Sequence, residues 1–148
     1  MPKKFKFKLA SVLRYRQILK DSQEAKLMQA ARACQETEAL IQTLDDQKHA
    51  TYQAMIENLQ QGFSLVDKVN QDSFNHMVLA EKSKEQSRLA KRKRAHDYEN
   101  AKYISLSRSH LIVDKLKDKA IDLHHKALLE EENKLIDDLV STRFRVKD

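Results

Sequence analysis

From Leu9 onward, apolar side chains recur at steps of three and four: Leu9, Val12 or Leu13, Leu27, Ala30 or Ala31, Cys34, Ile41, Leu44, Tyr52, Met55 and Leu59. That spacing returns to one face of a helix at every turn. Leu27, Cys34, Ile41 and Met55 share one heptad grid with Lys48 at the vacant step, the pattern of a coiled-coil seam with polar interruptions. Helix-favouring Ala, Gln, Glu, Lys and Leu fill the positions between. Ahead of this run, Phe5, Phe7 and Leu9 alternate with lysines, the rhythm of a half-buried strand. Only three apolar positions alternate, and no second strand pattern follows to pair with them. The stretch is therefore expected to be a short extended lead-in whose aromatics clip onto the helices or onto a partner.

The first break falls at Gly62, the only glycine in the chain and the residue best suited to a left-handed helix end. Ser64 and Asp67 follow with capping-box spacing, Asp standing in for the usual Glu. The pattern predicts one helix over about 9–60, a turn over about 61–64 and a second helix over about 65–141, in a single elongated domain spanning 1–148. The second helix threads Val66, Val69, Phe74, Met77, Ala80, Tyr98, Ala101, Ile112, Leu116, Leu123, Leu128, Leu135 and Leu139, with no glycine or proline to interrupt it. The fold class predicted is all-α, an antiparallel two-helix coiled-coil hairpin with unequal arms.

Folding back about the turn pairs residue i with roughly residue 124 minus i, as in any helical hairpin with a short loop. Leu59 then meets Leu65 or Val66, Leu44 meets Ala80, and Leu13 meets Ile112. Ala30, Ala31, Ala33 and Cys34 face the stretch around Ala90 and Ala95, where close approach is expected. At 1.5 Å per residue the first helix is about 75 Å long and the second over about 110 Å. Roughly the last 25 residues thus overhang, and their stripe of Ile121, Leu128, Leu135 and Leu139 calls for a binding partner.

Composition sharpens this picture. One glycine, one proline (Pro2) and no tryptophan stand among 148 residues, where average usage gives about ten glycines and seven prolines. Almost no loops are possible, and 34% charged residues leave only a thin core. Cys34 is the only cysteine, so no disulfide forms within the chain, and a reducing compartment is expected. The longest apolar run, Met77 to Ala80, is far short of the roughly 20 residues of a membrane span. The basic start lacks the apolar segment of a secretory signal, which points to the cytoplasm.

Candidate chemistry is sparse. Phosphate-cradling loops need several glycines, and a helical hairpin offers no cleft or oxyanion hole for a nucleophile. His124 and His125 diverge by about 100° on a helix and do not converge on a metal. Cys34 reads as a small seam residue. No catalytic residue, metal, cofactor or small-molecule substrate is expected. The run Lys91-Arg92-Lys93-Arg94, extended by Arg88, Lys84 and Lys82, is the sharpest charge feature. At least one of the four presses toward the seam, its stem packed and its head snorkelling out. The run is a solvated helix face or an anion-binding patch for nucleic acid, an anionic membrane surface or an acidic protein; without aromatic platforms it is a poor nucleic-acid site. Glu130, Glu131, Glu132, Asp137 and Asp138 give the overhang the opposite sign. The first twenty residues carry seven positive charges and no negative one, against a net charge of +6 for the chain.

The opening "FKFKLASVLRYRQILKDSQEAKLMQA" resembles the N-terminal signature of the flagellar export protein FliJ family, with its aromatic-x-aromatic start, its Val-Leu-x-Tyr-Arg element and an acidic-basic helix. "CQETEALIQTL", the turn at Gly62 and the chain length are similar too. The resemblance implies a cytoplasmic component of the flagellar type III export apparatus, peripheral to the membrane at the flagellar base. It also implies an antiparallel coiled coil similar to the gamma-subunit stalk of rotary ATP synthases. Its implied partners are the hexameric export ATPase, the export gate protein FlhA and unladen export chaperones. The ring-facing end implied is Phe5, Phe7, Leu9, Leu13, Arg14 and Arg16 with Leu128, Leu135, Leu139 and Arg143. Matching the Cys-Gln-x-x-Glu segment and the turn glycine places the gate-facing surface at Leu40, Leu44, Gln47, Thr51, Phe74 and Val78. Gln47 and Thr51 stand where the family can carry aromatics, and Tyr52 lies one step round the helix. An injectisome stalk and a basic nucleic-acid-binding coiled coil using Lys91 to Arg94 remain as alternatives.

Overall fold

A computed structural model describes residues 3–62 and 64–147. Helix α1 spans Ala10–Gln61 and helix α2 spans Leu65–Lys147. Among the described residues there is no strand, and the two helices pack against each other as an all-α hairpin. With no helix breaker after Gly62, α2 continues past the expected limit near 141; within that extension Thr142 Oγ1 donates to the Asp138 carbonyl at 2.7 Å.

The turn is built as its residues dictate. Gly62 has φ +98°, which side chains disfavour, and a Cβ there would meet no atom within 4 Å. The Asp67 amide donates to Ser64 Oγ at 3.2 Å, closing the first turn of α2. Phe63, inside the expected turn, lies outside the described residues. Because space is free at Gly62, a Gly62→Ala change meets only backbone strain. It is expected to cost about 1 kcal/mol, read as a lower urea midpoint at unchanged slope.

The chain forms two compact units, one of Met1–Ser22 with Ile104–Asp148 and one of Gln23–Tyr103. Within the Gln23–Tyr103 unit, partners fall along α2 as they rise along α1. Gln23 reaches Glu99, Thr37 reaches Arg92, and Asp45 reaches Lys82. The other unit shows the same order, from Phe5 beside His124 to Arg16 bonded to Ser109. The helices are antiparallel in both, within a few residues of the expected register.

The α1 seam follows the sequence pattern except at Leu9, Tyr52 and Leu59, which are exposed. Leu13, Leu27, Ala30, Cys34, Ile41, Leu44 and Met55 are half-buried, with Lys48 exposed at the vacant step. On α2 the structure overturns the expected thread. Val66, Val69, Phe74, Met77, Ala80, Tyr98, Ala101, Ile112, Leu116 and Leu123 are all exposed. The buried and half-buried face is instead Gln71, Asn75, Val78, Lys82, Glu85, Leu89, Arg92, His96, Glu99, Tyr103, Leu106, His110, Val113 and Lys117. These positions alternate steps of four and three without a gap, whereas the apolar thread is empty between Ala80 and Tyr98. A continuous heptad stays against a straight partner helix; an interrupted stripe drifts off it.

The expected pairings shift accordingly. Val113, only 3% exposed, takes the place of Ile112, and Val78 and Lys82 turn inward rather than Ala80. Leu59, Leu65 and Val66 are all exposed. Ala90 and Ala95 point away from the seam, which Leu89, Arg92 and His96 occupy, so no close approach of small residues forms there. Tyr98 faces outward with the Lys102 ammonium 4.4 Å from its ring centre. Its contact with Tyr98 raises the Lys102 pKa above the ordinary value.

Candidate partner-binding surfaces

The six residues matched to the gate-facing surface all lie in the Gln23–Tyr103 unit. Leu40, Gln47 and Phe74 are exposed, Leu44 and Thr51 half-buried, and Val78 is 4% exposed. Each exposed member precedes a seam residue by four: Leu40 before Leu44, Gln47 before Thr51, Phe74 before Val78. In antiparallel helices that shared offset puts all three on one flank of the seam. Leu44, Thr51 and Val78 support the flank from the seam, and Thr51 Oγ1 is taken up by the Gln47 carbonyl at 2.9 Å. Tyr52 belongs to the other flank, where it lines a groove with Asp45, Lys48, His49 and Asn75. It therefore does not extend the Leu40–Phe74 surface.

Two members of the basic run, Lys82 and Arg92, are drawn into contacts with α1, while Lys84, Arg88, Lys91, Lys93 and Arg94 stay exposed. Lys82 pairs with Asp45 at 2.6 Å, and Arg88 lies 3.3 Å from buried Glu85. Arg92 is the member that presses inward, and its head does not snorkel. It donates to the Ala33 carbonyl at 3.1 Å and to Thr37 Oγ1. Thr37 is fully buried and itself donates to the Ala33 carbonyl at 2.9 Å. Lys93 stands 4.0 Å from Glu38, while exposed Arg94 reaches only its own helix at the Ala90 carbonyl. Lys91 is exposed.

The residues matched to the ring-facing end all lie in the other unit, where the structure divides them. Phe5 and Phe7 are half-buried, Phe5 with its ring centroid 5.5 Å from that of His124. The lead-in thus clips onto α2. Leu13 is half-buried in the seam, and Arg16 donates to the Ser109 carbonyl at 2.7 Å. Leu9 is exposed; Arg14, also exposed, borders a groove with Phe7, Leu13, Ile18, His110, Asp114 and Lys117. Beyond Leu128, itself half-buried, every residue from 129 to 145 is exposed, with Leu135 at 63% and Leu139 at 67%.

The uncovered stretch is shorter than the expected 25 residues because the lead-in covers α2 down to Leu128. It is also broader in apolar surface. Leu129, Ile136, Val140 and Phe144 are exposed as well, and a seven-residue step from 129 to 136 followed by fours was the signal for them. Ile121 and Leu128, expected in the overhanging stripe, are half-buried within the unit.

For other chemistry the site is plain. His124 and His125 hold their ring centroids 6.4 Å apart, and Cys34 is half-buried with a free thiol. Among the described residues no cluster of three metal-ligating side chains occurs, and no helix is long and apolar enough to cross a membrane.

Two antiparallel helices with a polar seam, carrying apolar surface outward in both units, define a helical-hairpin protein suited to engage other proteins. The family model of the flagellar FliJ protein matches residues 5–148, and the chain belongs to that family. It is accordingly a component of flagellar protein export, associated with the export apparatus. No curated protein and no solved structure gives a match.

Proposed function

We propose that this chain is the stalk of the flagellar export apparatus, seated by one end in the hexameric export ATPase and bound by a separate flank to the export gate protein FlhA. The carrying observation is the helix from 129 to 145, exposed throughout and lined by large apolar side chains. Left in water that surface is unfavourable; a socket in a ring of subunits would cover it. The Leu40, Gln47 and Phe74 flank lies in the other unit and shares no residue with that helix. The stalk itself performs no bond chemistry. It would promote assembly of the ring and link it to the gate at the cytoplasmic face of the membrane, and escort unladen export chaperones. Family membership favours the flagellar system over an injectisome, and the engagement of Lys82 and Arg92 by α1 takes two cations out of the patch a nucleic acid would need.

A binding experiment with both partners tests this reading. In a pull-down, the chain should retain the export ATPase and the cytoplasmic domain of the gate together. Leu40→Ala with Phe74→Ala trims side chains that are 47% and 38% exposed, so stability should fall by no more than about 2 kcal/mol. Gate affinity should fall at least about tenfold, as for a central pair of contacts. ATPase stimulation should be kept. Equal loss of both activities at unchanged stability would defeat the two-surface assignment.

A further inference from the structure

Residues 129–145 of α2 are exposed past the last half-buried position at Leu128. The helical repeat sets Leu135, Ile136, Leu139 and Val140 on one face, with Glu132 and Arg143 on its midline at either end. Lys134, Asp137, Asp138 and Ser141 fall on the opposite face. Read from either end, the face has the same order. A charge comes first, then an adjacent apolar pair three residues on, a second pair after the same interval, and finally the opposite charge. Such a face is complementary to itself when turned end for end, which is the condition for a two-fold symmetric contact.

We propose that a second copy of this chain covers this face, as an antiparallel pair in which Glu132 of each copy meets Arg143 of the other. The register sets Ile136 against Leu139 and Leu135 against Val140, with the two-fold axis between Asp137 and Asp138. A parallel pair is disfavoured, because it would set Glu132 on Glu132 and Arg143 on Arg143. In the antiparallel pair, position 128, where cover by the lead-in ends, lies opposite position 147 of the second copy. Contact is thereby confined to the uncovered helices. Two helices meeting over this length bury on the order of 1,000 Å², the low end of specific interfaces, which suits a reversible dimer. The ring socket would take the same face, so pairing would keep it covered until the ring displaces the second copy.

Analytical ultracentrifugation of the full chain alone tests this, and without the ATPase its outcome does not depend on the ring assignment. A monomer–dimer equilibrium is expected with a Kd of roughly 1–10 µM. Glu132→Arg alone and Arg143→Glu alone should each raise that Kd at least about tenfold, because each sets like charges opposite one another. The double change Glu132→Arg with Arg143→Glu should restore the dimer. All these positions are exposed, so circular dichroism should show unchanged helix content in every variant. A chain that stays monomeric up to about a hundredfold above that Kd overturns the proposal and leaves the face to the ring alone. A dimer indifferent to either reversal, or one the double change fails to restore, overturns it equally.

Discussion

Ending the chain after Leu128 is expected to abolish its stimulation of the export ATPase while leaving the hairpin folded. The segment removed carries Leu129, Leu135, Ile136, Leu139, Val140 and Phe144, all exposed. Exposed side chains contribute little to folding, so the midpoint of thermal unfolding should move by no more than a few degrees, about 1 kcal/mol at this chain length. The place of the cut matters. Ending before Ile121 would also remove His124, against which Phe5 packs, and leave the lead-in unsupported. A cut after Leu128 keeps that contact and isolates the uncovered helix. Steady-state ATPase rates and far-ultraviolet circular dichroism on the same preparation decide the matter. Full stimulation by the shortened chain would place the ring contact elsewhere, on the Leu9 and Arg14 surface of the same unit.

The two helices and their turn were legible because their signals are local. A lone glycine, a Ser-x-x-Asp cap and long runs without breakers depend on nothing beyond a few neighbouring residues. The heptad of α1 was legible too, since Leu27, Cys34, Ile41 and Met55 are apolar as well as periodic. The face of α2 was not. Hydrophobicity pointed to Phe74, Met77, Tyr98 and Ile112, yet the partner helix took the face of Lys82, Glu85, Arg92 and Glu99.

Long polar side chains can serve a seam when their stems pack and their heads find acceptors. Gln23 donates to the Glu99 carbonyl at 3.0 Å and also to its carboxylate, and Arg16 finds the Ser109 carbonyl. Those acceptors sit on the other helix, so a reading of one helix at a time does not reveal them. The same displacement explains the surface. Apolar residues that would have filled a conventional core were left outside, where they are available to partners. Within the matched sites, Leu135, Leu139 and Arg143 are exposed, whereas Leu13 and Arg16 are engaged by the fold itself. A residue match alone carries no information on that division.

The polar seam is testable at its most buried layer. Arg92→Ala should destabilise the chain by about 2–3 kcal/mol, because it strips donors from the Ala33 carbonyl and Thr37 Oγ1 and leaves a void beside them. At this length the melting midpoint should fall by roughly 5–10 °C. Arg92→Leu combined with Thr37→Val should recover most of the loss, since paired apolar replacements of a buried polar contact are often neutral or better. Recovery would carry a cost in register. Thr37 and Arg92 lie on facing helices, and only one alignment brings that guanidinium to that hydroxyl, whereas Leu and Val pack acceptably with several neighbours. Spin labels at Glu38 and Lys93 should therefore report a single narrow distance in the parent and a broader distribution in the apolar pair. A loss below about 0.5 kcal/mol for Arg92→Ala would show that the guanidinium is adequately solvated, and the layer would then have no part in fixing the alignment. If the loss and the broadening both occur, charge in this seam trades stability for a unique alignment of the two helices. That alignment is what holds Leu40, Gln47 and Phe74 on one flank.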